Sequence, residues 1–153
     1  MTQSNAPDTV PDCVLYTMLR VRDLDTSIAF YRDGLGMSEL RRETFPEGRF
    51  TLVFMGYENR PHAASIELTW NWDDSSYSHG SGFGHVAVMV SDIYGACARL
   101  ASMGVKILRD PGPMKYAPQE SGVREQIAFV ADPDGYKIEL IGRAELPARS
   151  SQI

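Results

Sequence analysis

A carboxylate on a short strand is the first chemically suggestive feature of this sequence. Glu139 lies in Asp132-Pro133-Asp134-Gly135-Tyr136-Lys137-Ile138-Glu139-Leu140-Ile141. Asp-Pro-Asp-Gly is turn chemistry: Pro133 presets φ, the Asp side chains can bond back to the backbone, and Gly135 accepts a positive φ. The residues after it read as a strand, so Glu139 points away from the face that takes Ile138 and Leu140. Ile-Glu-Leu recurs at Ile66-Glu67-Leu68, an offset of 72 residues. Upstream of each copy, Tyr16 to Leu24 matches His85 to Ile93 at an offset of 69 residues, and both stretches end in Val-x-Asp-(Leu/Ile). Two ordered pairs at nearly equal offsets mark a duplicated strand–helix–strands unit. The duplication makes Tyr16 equivalent to His85, and Glu67 to Glu139. Gathered round one pseudo-symmetry axis, two carboxylates and an imidazole with an open position suit a divalent cation in a mixed N/O site. Either glutamate alone reads better as a solvated strand residue; the repeat makes them a set.

The elements that must position these residues follow from periodicity and punctuation. Residues 1–12 are polar and read as a mobile N-terminal arm. Val14 to Val21 reads as a strand, and Asp23 or Asp25 can cap the helix implied by Leu24, Ile28, Phe30 and Tyr31. Gly34-Leu35-Gly36 ends that helix. Ser38 to Phe45, Phe50 to Tyr57 and Ala64 to Trp70 read as strands, with a turn at Pro46-Glu47-Gly48. The stretch from Trp72 to Gly82 reads as a linker. The second unit repeats the order: strand Val86 to Val90, helix Ile93 to Met103 capped by Asp92 and stopped by Gly104, strand Val105 to Leu108, then strands on either side of the Asp-Pro-Asp-Gly turn. Asp110 to Glu125, with three prolines and two glycines, reads as a long irregular loop, a kind that is often functional. Residues 143–153 read as a tail. The expectation is an α+β fold, a single domain over 13–142 made of βαβββ modules 13–72 and 82–142.

Composition narrows the function. The 153 residues are 43% hydrophobic and 23% charged, ordinary for a soluble globule able to bury its own core. A net charge of −5 disfavours nucleic acid and anionic membranes as partners. Cys13 and Cys97 suggest no disulfide framework, and a cytoplasmic location is the expectation. No leader and no spanning apolar stretch is visible.

With these residues in view, the chain resembles glyoxalase I (lactoylglutathione lyase) of the vicinal-oxygen-chelate superfamily. The resemblance rests on Tyr16-Thr17-Met18-Leu19-Arg20-Val21, Phe30-Tyr31 with Gly34-Leu35-Gly36-Met37, Ile66-Glu67-Leu68-Thr69-Trp70-Asn71-Trp72, Gly84-His85 and the Asp132 to Leu140 motif. It implies a homodimer whose active sites lie between modules of two chains. It places four metal-ligand positions on Tyr16, Glu67, His85 and Glu139. Tyr16 departs from the pattern: the family has His there in bacterial enzymes and Gln in eukaryotic ones. A phenol must ionise to ligate well, so either Tyr16 binds as phenolate or a water takes its place. The short spacing from Glu67 to His85 resembles the nickel- or cobalt-preferring class, so Ni2+ is expected ahead of Co2+ or Zn2+.

The resemblance further implies that Arg20 and Asn71 bind the glutathione peptide, with Arg109 or Lys115 meeting its glycine carboxylate. Arg suits that task through its planar fork of donors. The implied reaction isomerises the hemithioacetal of methylglyoxal and glutathione to S-lactoylglutathione, with Glu139 moving the proton and Glu67 in a second acid/base role beside ligation. Two other readings stand beside it: another enzyme of the superfamily, an epimerase or thiol transferase, or a non-catalytic small-molecule-binding protein. Retention of Glu67, His85 and Glu139 favours an enzyme.

Overall fold

The structure is a computed structural model that describes residues 8–74 and 76–142. The chain forms two compact units, Met1–Ser76 and Tyr77–Ile153. The expected tail at 143–153 and the first seven residues of the expected arm lie outside the described residues. Residues 8–12 carry no helix or strand and are exposed.

Unit 1 runs β1 (Tyr16–Arg20), α1 (Leu24–Ala29), a π-helical turn (Phe30–Gly34), β2 (Ser38–Phe45), β3 (Phe50–Gly56) and β4 (Ser65–Asn71). Unit 2 runs β5 (Val86–Val90), α2 (Ile93–Ser102), β6 (Ile107–Pro113), β7 (Gln126–Ala131) and β8 (Lys137–Gly142). Each unit has one four-stranded sheet, in the orders β1-β4-β3-β2 and β5-β8-β7-β6. The first and last strands of each unit pair in parallel and the others antiparallel. This is the expected β-α-β-β-β unit twice, an α+β architecture.

The local causes repeat as well. Asp23, rather than Asp25, caps α1: its Oδ1 accepts from Thr26 N at 2.8 Å. Asp92 Oδ1 accepts from Gly95 N at 2.9 Å and caps α2. Each helix closes one face of its own sheet. In unit 1, Leu24, Ile28, Phe30 and Tyr31 are buried, as are Leu19, Val53, Met55, Ile66 and Leu68 of the strands. In unit 2, Ile93, Cys97 and Leu100 are buried with Ala128, Val130, Ile138 and Leu140. Each such large apolar side chain contributes about 1.5–3 kcal/mol. With the core on one face, alternation sends Glu67 and Glu139 to the other.

One expectation is refined and one needs correction. The first helix continues from α1 into a π-helical turn, with Leu35 N donating to Phe30 O and Gly36 at φ 72° ending it. Asp110 to Pro113 belong to β6, where a short strand ending at Leu108 and a loop from Asp110 were expected. Two features explain this. β6 is an edge strand, so Pro111 and Pro113 need not supply every ladder donor. The Arg109 guanidinium also satisfies the carbonyls that the bulged register strands: Nη1 donates to Ile127 O at 2.7 Å and Gly112 O at 3.1 Å, and Nη2 to Pro113 O at 2.7 Å. The remaining loop closes on itself, with Met114 N donating to Glu125 O and Gly122 N to Pro118 O, both at 2.8 Å.

Candidate functional site

The strand registers decide which side chains share a face. In unit 1, Tyr16 pairs with Ser65 and Met18 with Glu67, so Tyr16 stands diagonal to Glu67. In unit 2, Val86 pairs with Ile138 and Ala87 with Glu139, so His85, just before β5, stands diagonal to Glu139. The equivalence of Tyr16 with His85 is therefore built into the pairing as well as the sequence. The next strand supplies a phenylalanine in both units: Phe54 opposes Glu67 and Phe129 opposes Glu139. Tyr16 meets Phe54 edge to face at 5.1 Å, and His85 meets Phe129 edge to face at 5.2 Å. One strand further out, Arg41 opposes Phe54 and Arg109 opposes Phe129, each just after a bulge.

The two glutamates have different partners. His85 Nε2 lies 2.8 Å from Glu139 Oε2, with the imidazole 41% exposed and the carboxylate 14% exposed. Glu67 is 7% exposed, and its Oε1 accepts from Thr69 Oγ1 at 2.9 Å. Among the described residues no group of three His, Cys, Asp or Glu side chains clusters within one chain. The four expected residues lie as two pairs instead, Glu67 with Tyr16 on the face of unit 1 and Glu139 with His85 on the face of unit 2.

The segment that carries His85 is anchored by the Asp-Pro-Asp-Gly turn. Asp132 Oδ1 accepts from Asp134 N at 2.9 Å and Tyr136 N at 2.8 Å, and Gly135 sits at φ 86°. The turn holds the Tyr136 ring, on which His79 stacks at 4.1 Å and Phe83 packs edge-on at 5.6 Å. Gly84 and His85 follow directly. Beside them opens a cavity of about 420 Å³ within unit 2, lined by His79, Phe83, His85, Arg109, Phe129 and Lys137 among others. Among the described residues no carboxylate lines it, and an arginine and a lysine do, which suits an anionic group.

The chain of residues 14–140 matches the model of the glyoxalase/bleomycin resistance protein/dioxygenase superfamily. The chain belongs to that superfamily. Within it, the protein is 51% identical over 128 residues to a lactoylglutathione lyase of Haemophilus influenzae, covering 84% of this chain and 90% of the relative. It also resembles the trypanothione-dependent glyoxalase I of Leishmania major, with a TM-score of 0.72, 40% identity and 88% of each chain covered. A third likeness is to glyoxalase I from Zea mays, with a TM-score of 0.77, 40% identity and 88% of this chain covered. The protein spans just under half of the maize chain, 46% of it.

In this superfamily member the other expected site residues fall as follows. Arg20 pairs with Thr69 in register, and Asn71 ends the same strand β4, so both stand toward one end of the face that carries Glu67. Arg109 lines the unit 2 cavity, but much of its guanidinium is spent on backbone carbonyls. Lys115 is exposed on the 114–125 loop with Nζ 5.2 Å from the Tyr116 ring, and it is not part of the cavity lining. Lys137 takes that place. The sequence reading passed over Lys137, although it stands two residues before Glu139 on the same strand face. Thr69 was passed over too, though it stands two residues after Glu67 and the same alternation would have found it.

Proposed function

We infer that this protein is a lactoylglutathione lyase: it isomerises the hemithioacetal of a 2-oxoaldehyde and glutathione to the S-2-hydroxyacylglutathione. The observation that carries this reading is the pair of matched faces, each placing a glutamate diagonal to a potential ligand by the same register, in a chain about half identical to such enzymes. The donor set fits a divalent cation. Glu67 is a nearly buried carboxylate with one oxygen capped and, among the described residues, no donor on the other. His85 and Glu139 add an imidazole nitrogen and a carboxylate 2.8 Å apart. Glu67, His85 and Glu139 would hold the ion, Ni2+ ahead of Co2+ or Zn2+, with Tyr16 or a water completing the set. When bound, the cation stabilises the negative charge that develops on two adjacent substrate oxygens as a proton leaves carbon.

The chain's own residues do the rest. Glu139 takes the proton from the carbon that bears sulfur and returns it to the neighbouring carbon. Its hold is a single contact to His85, so it has room to move. Glu67 acts as ligand and as a second acid/base group. The cationic cavity of Arg109 and Lys137 receives the glycine carboxylate of glutathione, and Arg20 with Asn71 orients the γ-glutamyl end. Each site draws Tyr16 and Glu67 from one chain and His85 and Glu139 from a second copy, making the protein a homodimer. The exposed apolar side chains of Val14 and Leu15, beside edge strand β1, support such an assembly. Among the described residues no helix is long and apolar enough to cross a membrane. Cys13 and Cys97 are unpaired thiols, which supports a reducing cytoplasm.

The test is activity on methylglyoxal plus glutathione after metal removal and reconstitution with Ni2+, Co2+ or Zn2+. Activity that returns with one of the ions is the expected result. Full activity without any divalent ion would refute the reading.

A further inference from the structure

We propose that Thr69 is a positioning residue for Glu67: its hydroxyl caps Oε1 and leaves Oε2 as the oxygen that meets a divalent cation. The inference rests on the metal-dependent reading above. The two side chains stand two residues apart on one face of β4, with Thr69 Oγ1 donating to Glu67 Oε1 at 2.9 Å. Both are nearly closed to solvent, Thr69 at 8% and Glu67 at 7%. A carboxylate so placed needs a donor, and a neutral hydroxyl satisfies one oxygen without cancelling the charge that a cation needs. The donor is itself fixed. Thr69 pairs with Arg20 of β1 on one side and Leu52 of β3 on the other, and its carbonyl accepts from Val21 N at 3.0 Å. Its β-branched side chain adds a stiff χ1.

The second unit shows that the fold does not require this hydroxyl. The position two residues after Glu139 is Ile141, and the sheet forms with the same order and register pattern. Glu139 has no hydroxyl cap there; its partner is His85. The hydroxyl therefore belongs to the work of Glu67. A carboxylate held by a second residue loses less freedom when it binds a cation, and removing such a supporting contact costs about 10–100-fold in metal affinity.

The experiment titrates Ni2+ into the metal-free full-length protein by calorimetry at one pH, for wild type, Thr69→Val, Thr69→Ser and Glu67→Gln. Thermal melting of each metal-free protein reports folding separately. Thr69→Val should weaken Ni2+ binding about 10–100-fold. Thr69→Ser should bind within a few-fold of wild type, because it keeps the donor. A role in packing alone predicts the reverse order, since Val keeps the shape and Ser loses a methyl group; that order overturns the proposal. If Thr69→Val does not fold, Thr69→Ala supplies the same comparison, and wild-type affinity in it overturns the proposal. Glu67→Gln separates the two levels. If it binds Ni2+ as tightly as wild type, Glu67 is not a ligand, and the site reading fails together with the role of Thr69. If Glu67→Gln loses Ni2+ while Thr69→Val keeps it, only the role of Thr69 fails.

Discussion

Glu67 and Glu139 occupy the same position in two copies of one sheet, and they are held in different ways. Both stand beside a phenylalanine on the adjacent strand and diagonal to an aromatic or imidazole ring that packs on that phenylalanine. In unit 1 the ring is Tyr16 and the carboxylate is bound by Thr69. In unit 2 the ring is His85, which itself touches the carboxylate, and Ile141 takes the place of the threonine. The residues that make the sheet were kept in both copies. The residues that surround the carboxylate diverged. This difference fits the proposed division, in which Glu67 serves chiefly as ligand and Glu139 both ligates and moves the proton.

That division can be broken most severely at the two glutamates. Glu139→Gln should lower kcat by about 10²–10⁴-fold, the usual contribution of a general base, and should weaken Ni2+ binding less than Glu67→Gln does. Glu67→Gln should lose activity chiefly by losing the metal. Equal Ni2+ affinities in the two variants, measured by calorimetry, would erase the distinction. The next largest effect is expected from making the units more alike. Tyr16→His should tighten Ni2+ binding by about tenfold or more and raise lyase activity, because imidazole is neutral at pH 7 and a phenol must give up a proton to ligate. If affinity and activity do not change, Tyr16 lies outside the site.

The equivalent arginines sharpen the comparison through stability. Arg109→Ala removes donors from several strand carbonyls and should cost about 1–3 kcal/mol in urea unfolding. It should also raise KM for the hemithioacetal. Arg41 lies over the Phe54 ring at 4.1 Å and pairs with Glu43 while exposed, so Arg41→Ala should cost less than about 1 kcal/mol. Comparable losses in the two would show that the carbonyl bonds of Arg109 do little. The helix caps fall between these two. Asp23→Ala and Asp92→Ala should each cost about 0.5–2 kcal/mol. The hydrogen bond from Thr26 holds the Asp23 carboxyl below its usual range. Its stabilisation is therefore present above the unfolded carboxylate pKa and is lost as pH falls through the lower folded value. Thermal melts from neutral pH down through the carboxylate range should show the Asp23→Ala difference shrinking only at the acid end.

Local patterns in the sequence anticipated much of this. Alternation in Ile-Glu-Leu put both glutamates opposite the core, and the helix caps were expected at Asp92 and at either Asp23 or Asp25, of which the structure uses Asp23. The doubled offsets paired Tyr16 with His85, as the strand registers do. What stayed hidden depends on contacts distant in sequence. Pro111, Gly112 and Pro113 read as a loop because the bonds that hold them in β6 come from Arg109 and from pairing with Gln126 and Ile127. The His85–Glu139 contact depends on the parallel register of β5 with β8, which no local signal encodes. Arg109 and Lys115 were expected near the start of the loop; Arg109 lines the cavity, whereas the lysine that lines it, Lys137, stands on the strand.

The proposed assembly has each active site drawing unit 1 from one chain and unit 2 from another. Mixed dimers of Glu67→Gln and Glu139→Gln, assembled by co-expression with two tags, test it most directly. If sites span two chains, each mixed dimer carries one doubly altered site and one intact site, and should show about half of wild-type activity. If each site lies within a single chain, every site carries one substitution. Purified mixed dimers as inactive as the two parent variants would contradict the account.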